Sequence, residues 1–230
     1  MPSAWMVYRM LERLGYDVKP FVWIAAIGII GDYGITDARD VLEECRLEYP
    51  YLLRGNPMKS RLSEAAKTIS AAVTLKGLKG AGEALRYLRR CDYFEDLMGI
   101  RNLRSWREVV DEEIRELVRG FEKGKEEKGG VVFYKIETRL NLGSVISTLI
   151  SEKHPDMIVV VRKKAREGWK MSVRNQAGKY NLGEIVKKAV KGLGSGGGHE
   201  KAAAAVVPRW REFRKRFLEE VEKAKVTSTS

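Results

Sequence analysis

The chain has 230 residues, 44% hydrophobic and 32% charged, with a formal net charge of +12. That length suits one large domain or two small lobes, and the hydrophobic content excludes wholesale disorder. No apolar run approaches the roughly 20 residues needed to cross a bilayer, and the isolated Cys45 and Cys91 encode neither a disulfide framework nor a zinc site, so a soluble intracellular protein is expected.

The charge is unevenly spread. Residues 1–130 carry 22 Lys+Arg against 21 Asp+Glu, whereas residues 131–230 carry 21 against 10. A basic C-terminal half is the electrostatic footprint of a nucleic-acid binder, although a solubilising surface produces the same count. Gln176 is the only glutamine, which with the high charged fraction suits a protein selected for heat.

In chain order, Trp5, Tyr8, Leu11 and Leu14 recur every three residues and predict an amphipathic helix from Ala4 to Leu14, ending at Gly15. Phe21 to Ile30 is an apolar run too short to span a membrane and reads as a buried element, closing on Gly31-Asp32. Helices are predicted over Asp37–Glu48, Ser60–Thr74 and Gly82–Arg90. A long one carries Leu103, Trp106, Val110, Ile114, Leu117 and Phe121 at a 3.6-residue period. The charged, glycine-bearing stretch 123–130 reads as a linker.

Beyond it the pattern changes to strands over Val131–Ile136, Met157–Arg162, Trp169–Arg174 and Ala202–Val207. Helical spacing over Gly143–Glu152 and Asn181–Val190 alternates with them. This predicts an α/β layer over 131–208 after a helical lobe over 1–122. Pro208 then precedes a helix bearing Trp210, Phe213, Phe217 and Val221 on one face, within a final segment 209–230 whose VTSTS tail reads as disordered. The tryptophans at positions 5, 23, 106 and 210 have helix-core spacing. Trp169, in the most basic region, is the candidate base-stacking platform.

Gly192, Gly194 and Gly197 formally satisfy G-x-G-x-x-G, but a helix leads into them and a strand leads out, the reverse of a dinucleotide fold. The run Gly196-Gly197-Gly198 before His199 allows either a backbone nest that cradles phosphate, with the imidazole as a further donor, or a plain connecting loop.

The segment KMSVRNQAGKYNLGEIVKKAV followed by GLGSGGGHEKAAAAVVP resembles the DHHA1 domain of the DHH phosphoesterase superfamily. In that pattern a strand with Ser-x-Arg precedes a helix opening near a hydrophobic-Gly-Glu step, then GGGHxxAA and a last strand. The resemblance implies that Arg174, Gly196, Gly197, Gly198 and His199 contact nucleic-acid phosphate. It also implies a mixed-sheet domain following a remnant of a DHH domain. DHH nucleases hold two metals with an Asp-His-His triplet and further aspartates, a cluster suited to two-metal phosphodiester cleavage. Here the only histidines are His154 and His199, so the sequence contains no such triplet. Asp32 resembles the last ligand aspartate and is at most a vestigial ligand. No G-x-S-x-G or H-E-x-x-H offers another chemistry.

The expectation is therefore a non-enzyme without cofactor. It resembles the RecJ-homologous, Cdc-type subunits that accompany GINS and MCM in the archaeal CMG replicative helicase. That resemblance implies a scaffold contacting single-stranded DNA, cytoplasmic and nucleoid-associated. The alternative is a truncated or split DHH-family single-strand exonuclease.

Overall fold

The computed structural model describes residues 1–227 and divides the chain into two compact units, Met1–Asp111 and Glu112–Ser230. The first is helical: α1 Ser3–Arg13, α2 Val22–Gly31, α3 Arg39–Glu48, α4 Arg61–Leu88 and α5 Phe94–Gly99, with the start of α6 Arg101–Gly124. The apolar run forms α2, buried around most of its circumference through Val22, Trp23, Ala25, Ala26, Ile27, Ile29 and Ile30. A helix this apolar needs neighbours on every side, and α1, α3 and α4 supply them. At Gly28 a Cβ would lie 2.6 Å from the Ala4 Cβ, so the glycine lets α1 approach closely. The α1 helix is also tied to α3: Trp5 donates to Asp40 at 2.9 Å, and Arg9 pairs with the same carboxylate at 2.9 Å. Asp40, in the first turn of α3, thus ties the two helices together. Burial raises its pKa, but the donors Trp5 and Arg9 outweigh this and hold it below the ordinary carboxylate value.

Two expectations in this unit change. The helices expected over Ser60–Thr74 and Gly82–Arg90 are joined in one element, α4, interrupted at Gly77, whose φ of 60° and ψ of −139° are non-helical. After the break the chain turns back tightly, since a Cβ on Gly80 would stand 1.9 Å from the Ala72 carbonyl oxygen. Helix α5 escapes sequence reading because it is only six residues long; it is started by the Asp96 carboxylate, which accepts from the Asp92 and Tyr93 N–H groups.

The second unit has a six-stranded sheet in the order β1-β2-β3-β4-β6-β5, from β1 Lys125–Lys128, β2 Val131–Ile136, β3 Ile158–Ala165, β4 Gly168–Arg174, β5 Ser195–His199 and β6 Ala202–Val207. Only β2 and β3 are parallel, and α7 Gly143–Lys153 makes the crossover between them. The other pairs are antiparallel. The fold class read from the sequence, a helical lobe followed by a mixed-sheet α/β domain and a terminal helix, is the one observed.

The segment 123–130 is no linker: α6 runs through Gly124, and Lys125–Lys128 pair with β2 as an edge strand. Its charged side chains suit an edge, where low β-propensity is tolerated. The boundary between compact units falls earlier, inside α6.

One face of the sheet presents Val131, Phe133, Val160, Met171, Val173, Ala203, Ala205 and Val207. These pack against α8 Leu182–Ala189 and α9 Trp210–Thr227. Phe213 and Phe217 in α9 are fully buried, each worth about 2–3 kcal/mol, so the terminal helix is part of the core. Helix α9 is described through Thr227; of the tail expected to be disordered, residues 228–230 lie outside the described residues. Among those described, no helix is long and apolar enough to cross a membrane.

Candidate nucleic-acid interface

The register of three strands sets out the site. Arg174 at the end of β4 lies opposite Ala202 of β6, and Ala202 lies opposite His199 of β5. Directly opposed residues share a face, so Arg174 and His199 flank a small alanine, with two strand spacings of about 4.8 Å between their backbones. The same face continues through Ser172, Ala204 and Gly197, then Lys170, Val206 and Ser195. Lys170, Ala204, Ser195 and His199 are exposed, and the other five are intermediate in exposure or part-buried. The opposite face is the one filled by α8 and α9. The result is a shallow, nearly flat surface of small side chains bordered by cations.

Arg174 is held in place. Its Nη2 donates to Ser144 Oγ at 2.8 Å and its Nε to Thr148 Oγ1 at 3.3 Å, both on α7. These hydroxyls orient the guanidinium. The start of α7 adjoins the same spot: a Cβ on Gly143 would lie 3.2 Å from Ser172 Oγ, and its N-cap, Leu142, provides no side-chain cap. Uncapped N–H groups at a helix start favour an anion. Farther along the face, Lys170 of β4 stands opposite Lys163 of β3. Burial, then the neighbouring Lys170, lowers the Lys163 pKa, and its Nζ is anchored on the Leu140 carbonyl at 2.7 Å. His199 makes no side-chain hydrogen bond within the described residues.

The glycine run departs from expectation. It is neither a nest nor a loop: Ser195–His199 form edge strand β5, hairpinned to β6. Gly196 and Gly198 lie on the face covered by α8. A Cβ on Gly196 would meet Val186 at 2.9 Å and the Ala204 oxygen at 2.8 Å. A Cβ on Gly198 would lie 2.2 Å from the Ala202 oxygen, and one on Gly183 would lie 2.4 Å from the Gly198 oxygen. These glycines serve close packing of α8 on the edge strand. Only Gly197 turns toward the open face, with nothing within 4 Å of a built Cβ.

The remaining candidates lie elsewhere. Trp169 and Arg174 are five residues apart on one strand and so project from opposite faces; Trp169 packs near Trp210, with ring centroids 6.4 Å apart. Asp32 is an exposed residue at the C-terminus of α2, and no group of three His, Cys, Asp or Glu among the described residues is placed to hold a metal. Sequence reading missed Lys163, Lys170, Ser172, Ser144 and Thr148. The even spacing of 170, 172 and 174 within one strand was a usable signal for the row on β4.

Comparison with known proteins bears on the fold. Residues 127–226 match the DHHA1 domain family. The chain follows the fold of RecJ: the Thermus thermophilus RecJ structures with Mg2+ and with Mn2+ each superpose with a TM-score of 0.68 at 19% identity, covering 94% of this chain. A further exonuclease RecJ bound to manganese gives 0.60 at 18% identity, covering 92% of this chain and 57% of its own. The chain spans about a third of the Thermus protein's length, 36% and 35% in the two structures. No curated protein matches the sequence. The chain is thus RecJ-like in fold, and residues 127–226 are similar to the DHHA1 domain family.

The packing argument separates the glycines of β5 experimentally. Gly198→Ala is expected to lower stability by about 2 kcal/mol or more, because backbone must move, whereas Gly197→Ala stays within about 0.5 kcal/mol of wild type. Urea denaturation followed by circular dichroism checks this; equal losses at both positions contradict the assignment of faces.

Proposed function

We propose that the DHHA1-like unit holds single-stranded nucleic acid on its open sheet face and does so without cutting it. The observation that carries this is the row Arg174, Ala202, His199 on a face of small residues, with Lys170 and the uncapped start of α7 beside it. Arg174 serves as the fixed phosphate anchor, oriented by Ser144 and Thr148. His199 and Lys170 take further phosphate oxygens. Ala202, Ala204 and Gly197 keep the floor low enough for a sugar-phosphate backbone to approach. The net charge of +11 over residues 131–230 supplies the long-range attraction.

Binding of labelled oligo-dT is the direct test. Arg174→Ala with His199→Ala is expected to weaken it about ten-fold or more and to reduce the slope of log affinity against log salt by about 1, since phosphate contacts release counterions. An unchanged slope leaves this face without a role in binding.

The wider role we propose is that of a non-catalytic replication factor: a RecJ-like subunit that scaffolds an archaeal helicase with GINS and MCM, nucleoid-associated in the cytoplasm. This rests on the family resemblance in the sequence, and the helical unit is assigned to protein partners for that reason alone. A second reading is favoured by the coverage: nearly all of this chain matches about a third of a RecJ, so it can be one portion of a DHH-family nuclease whose metal ligands lie elsewhere. Two measurements separate the readings. Reconstitution with GINS subunits should give a co-purifying complex, and failure to associate counts against the helicase role. Mixed with a separate chain that carries the DHH metal ligands, the purified chain should leave single-stranded DNA intact in manganese; cleavage that appears only in the mixture establishes the nuclease reading instead.

A further inference from the structure

Trp169, displaced from the Arg174 face, sits in a shallow groove lined by Arg162, Trp169, Arg209, Trp210, Arg211 and Glu212, where β3 and β4 meet the start of α9. We propose that this groove is a second, separate contact for single-stranded nucleic acid, stacking a base on Trp169 and holding adjacent phosphate with Lys164 and Arg211. It rests on the reading that this unit binds a single strand, and it adds a contact on the other face of the sheet. The two contacts are five residues apart on β4, roughly 17 Å along the strand.

The platform is built and fixed. The Arg162 guanidinium lies 5.1 Å from the Trp169 ring centroid and 4.4 Å from that of Trp210, bridging the two indoles. Lys164 Nζ stands 5.5 Å from the Trp169 centroid, directly across the strand pair. Cation–π contacts of this kind hold an indole in one orientation, and Trp169 nonetheless remains partly exposed. A pre-oriented, partly exposed indole beside cations is what base stacking requires.

The charge balance points to an anion. Arg162 and Arg214 share one carboxylate, Glu126, at 3.5 and 3.0 Å, and each has a buried Nε without a hydrogen-bond partner. The groove's own carboxylate, Glu212, is already committed to Arg209 at 2.6 Å and Arg216 at 2.5 Å. Lys164 and Arg211 are exposed and take part in no ion pair among the described residues. In the β3–β4 turn, Arg166 and Glu167 cancel each other's charge. A strand satisfies both features at once, its base on the indole and its phosphate on the spare cations; an acidic peptide answers only the second.

The experiment uses the full chain and fluorescein-labelled oligo-dT of about 30 nucleotides, long enough to exceed a single site of roughly 4–16. Lys164→Ala with Arg211→Ala is expected to keep the wild-type melting curve and lower the salt slope by about 1.4, the value for two single-strand phosphate contacts. Trp169→Ala should weaken binding on the order of ten-fold, and Trp169→Phe far less, because a ring is retained. If Trp169→Ala melts early, the double variant and Trp169→Phe decide alone. Wild-type affinity and slope in the Lys164/Arg211 variant, with loss in the Arg174/His199 variant, overturns the second contact and leaves the first standing. No binding by wild-type protein overturns both. Release of the oligonucleotide by millimolar thymidine monophosphate assigns the groove to free nucleotides and overturns the strand reading.

Discussion

The close approach of α8 to strand β5 is the constraint from which the open face follows. Gly183 on the helix meets the Gly198 carbonyl, and Gly196 meets Val186, at separations that leave no room for a Cβ. Because the strand has no side chains on that side, α8 can press it flat against β6 and extend the sheet by one strand. That extension brings His199 into line with Ala202 and Arg174. Any bulk at Gly198 forces either the helix outward or the strand off its register, and a slip of one residue turns His199 to the buried face. Packing on one face therefore fixes chemistry on the other.

The two faces of this sheet divide the labour of a basic domain. One is filled by the aromatic side of α9 and the apolar side of α8. On the other, the strands β4, β6 and β5 retain small residues, and the larger side chains are Lys170, Arg174, Val206 and His199. Hydroxyls of α7 help to place Arg174, and a backbone carbonyl anchors Lys163. The helical unit differs in kind. Its Arg9 is embedded among Asp40, Glu12 and Glu44, an arrangement that spends charge on internal ties. Near-neutrality of residues 1–130 is consistent with that use.

How much of this was readable beforehand varied with the physics of each segment. Strands β2 and β6 have boundaries visible in the sequence because β-branched or small apolar runs end at glycine, proline or charge. Strands β1 and β5 were not visible: KEEK and SGGGH have poor strand propensity, and both are edge strands whose pairing is imposed by a neighbour. Arg174 and His199 were legible through motif resemblance, but their alignment on one face was not, since it depends on β5 being a strand. Trp169 and Arg174 are close in sequence, but counting parity along β4 puts them on opposite faces of the sheet. The break in α4 came from Gly77 taking a positive φ inside an otherwise helical pattern.

The most direct measurement of the central claim is amide chemical-shift mapping of the full chain on titration with a short oligo-dT. The account predicts the largest perturbations at Lys170, Ser172, Arg174, Gly197 and His199 and at the start of α7, around Gly143 and Ser144. Perturbations that bypass these residues, or none at saturating oligonucleotide, contradict it.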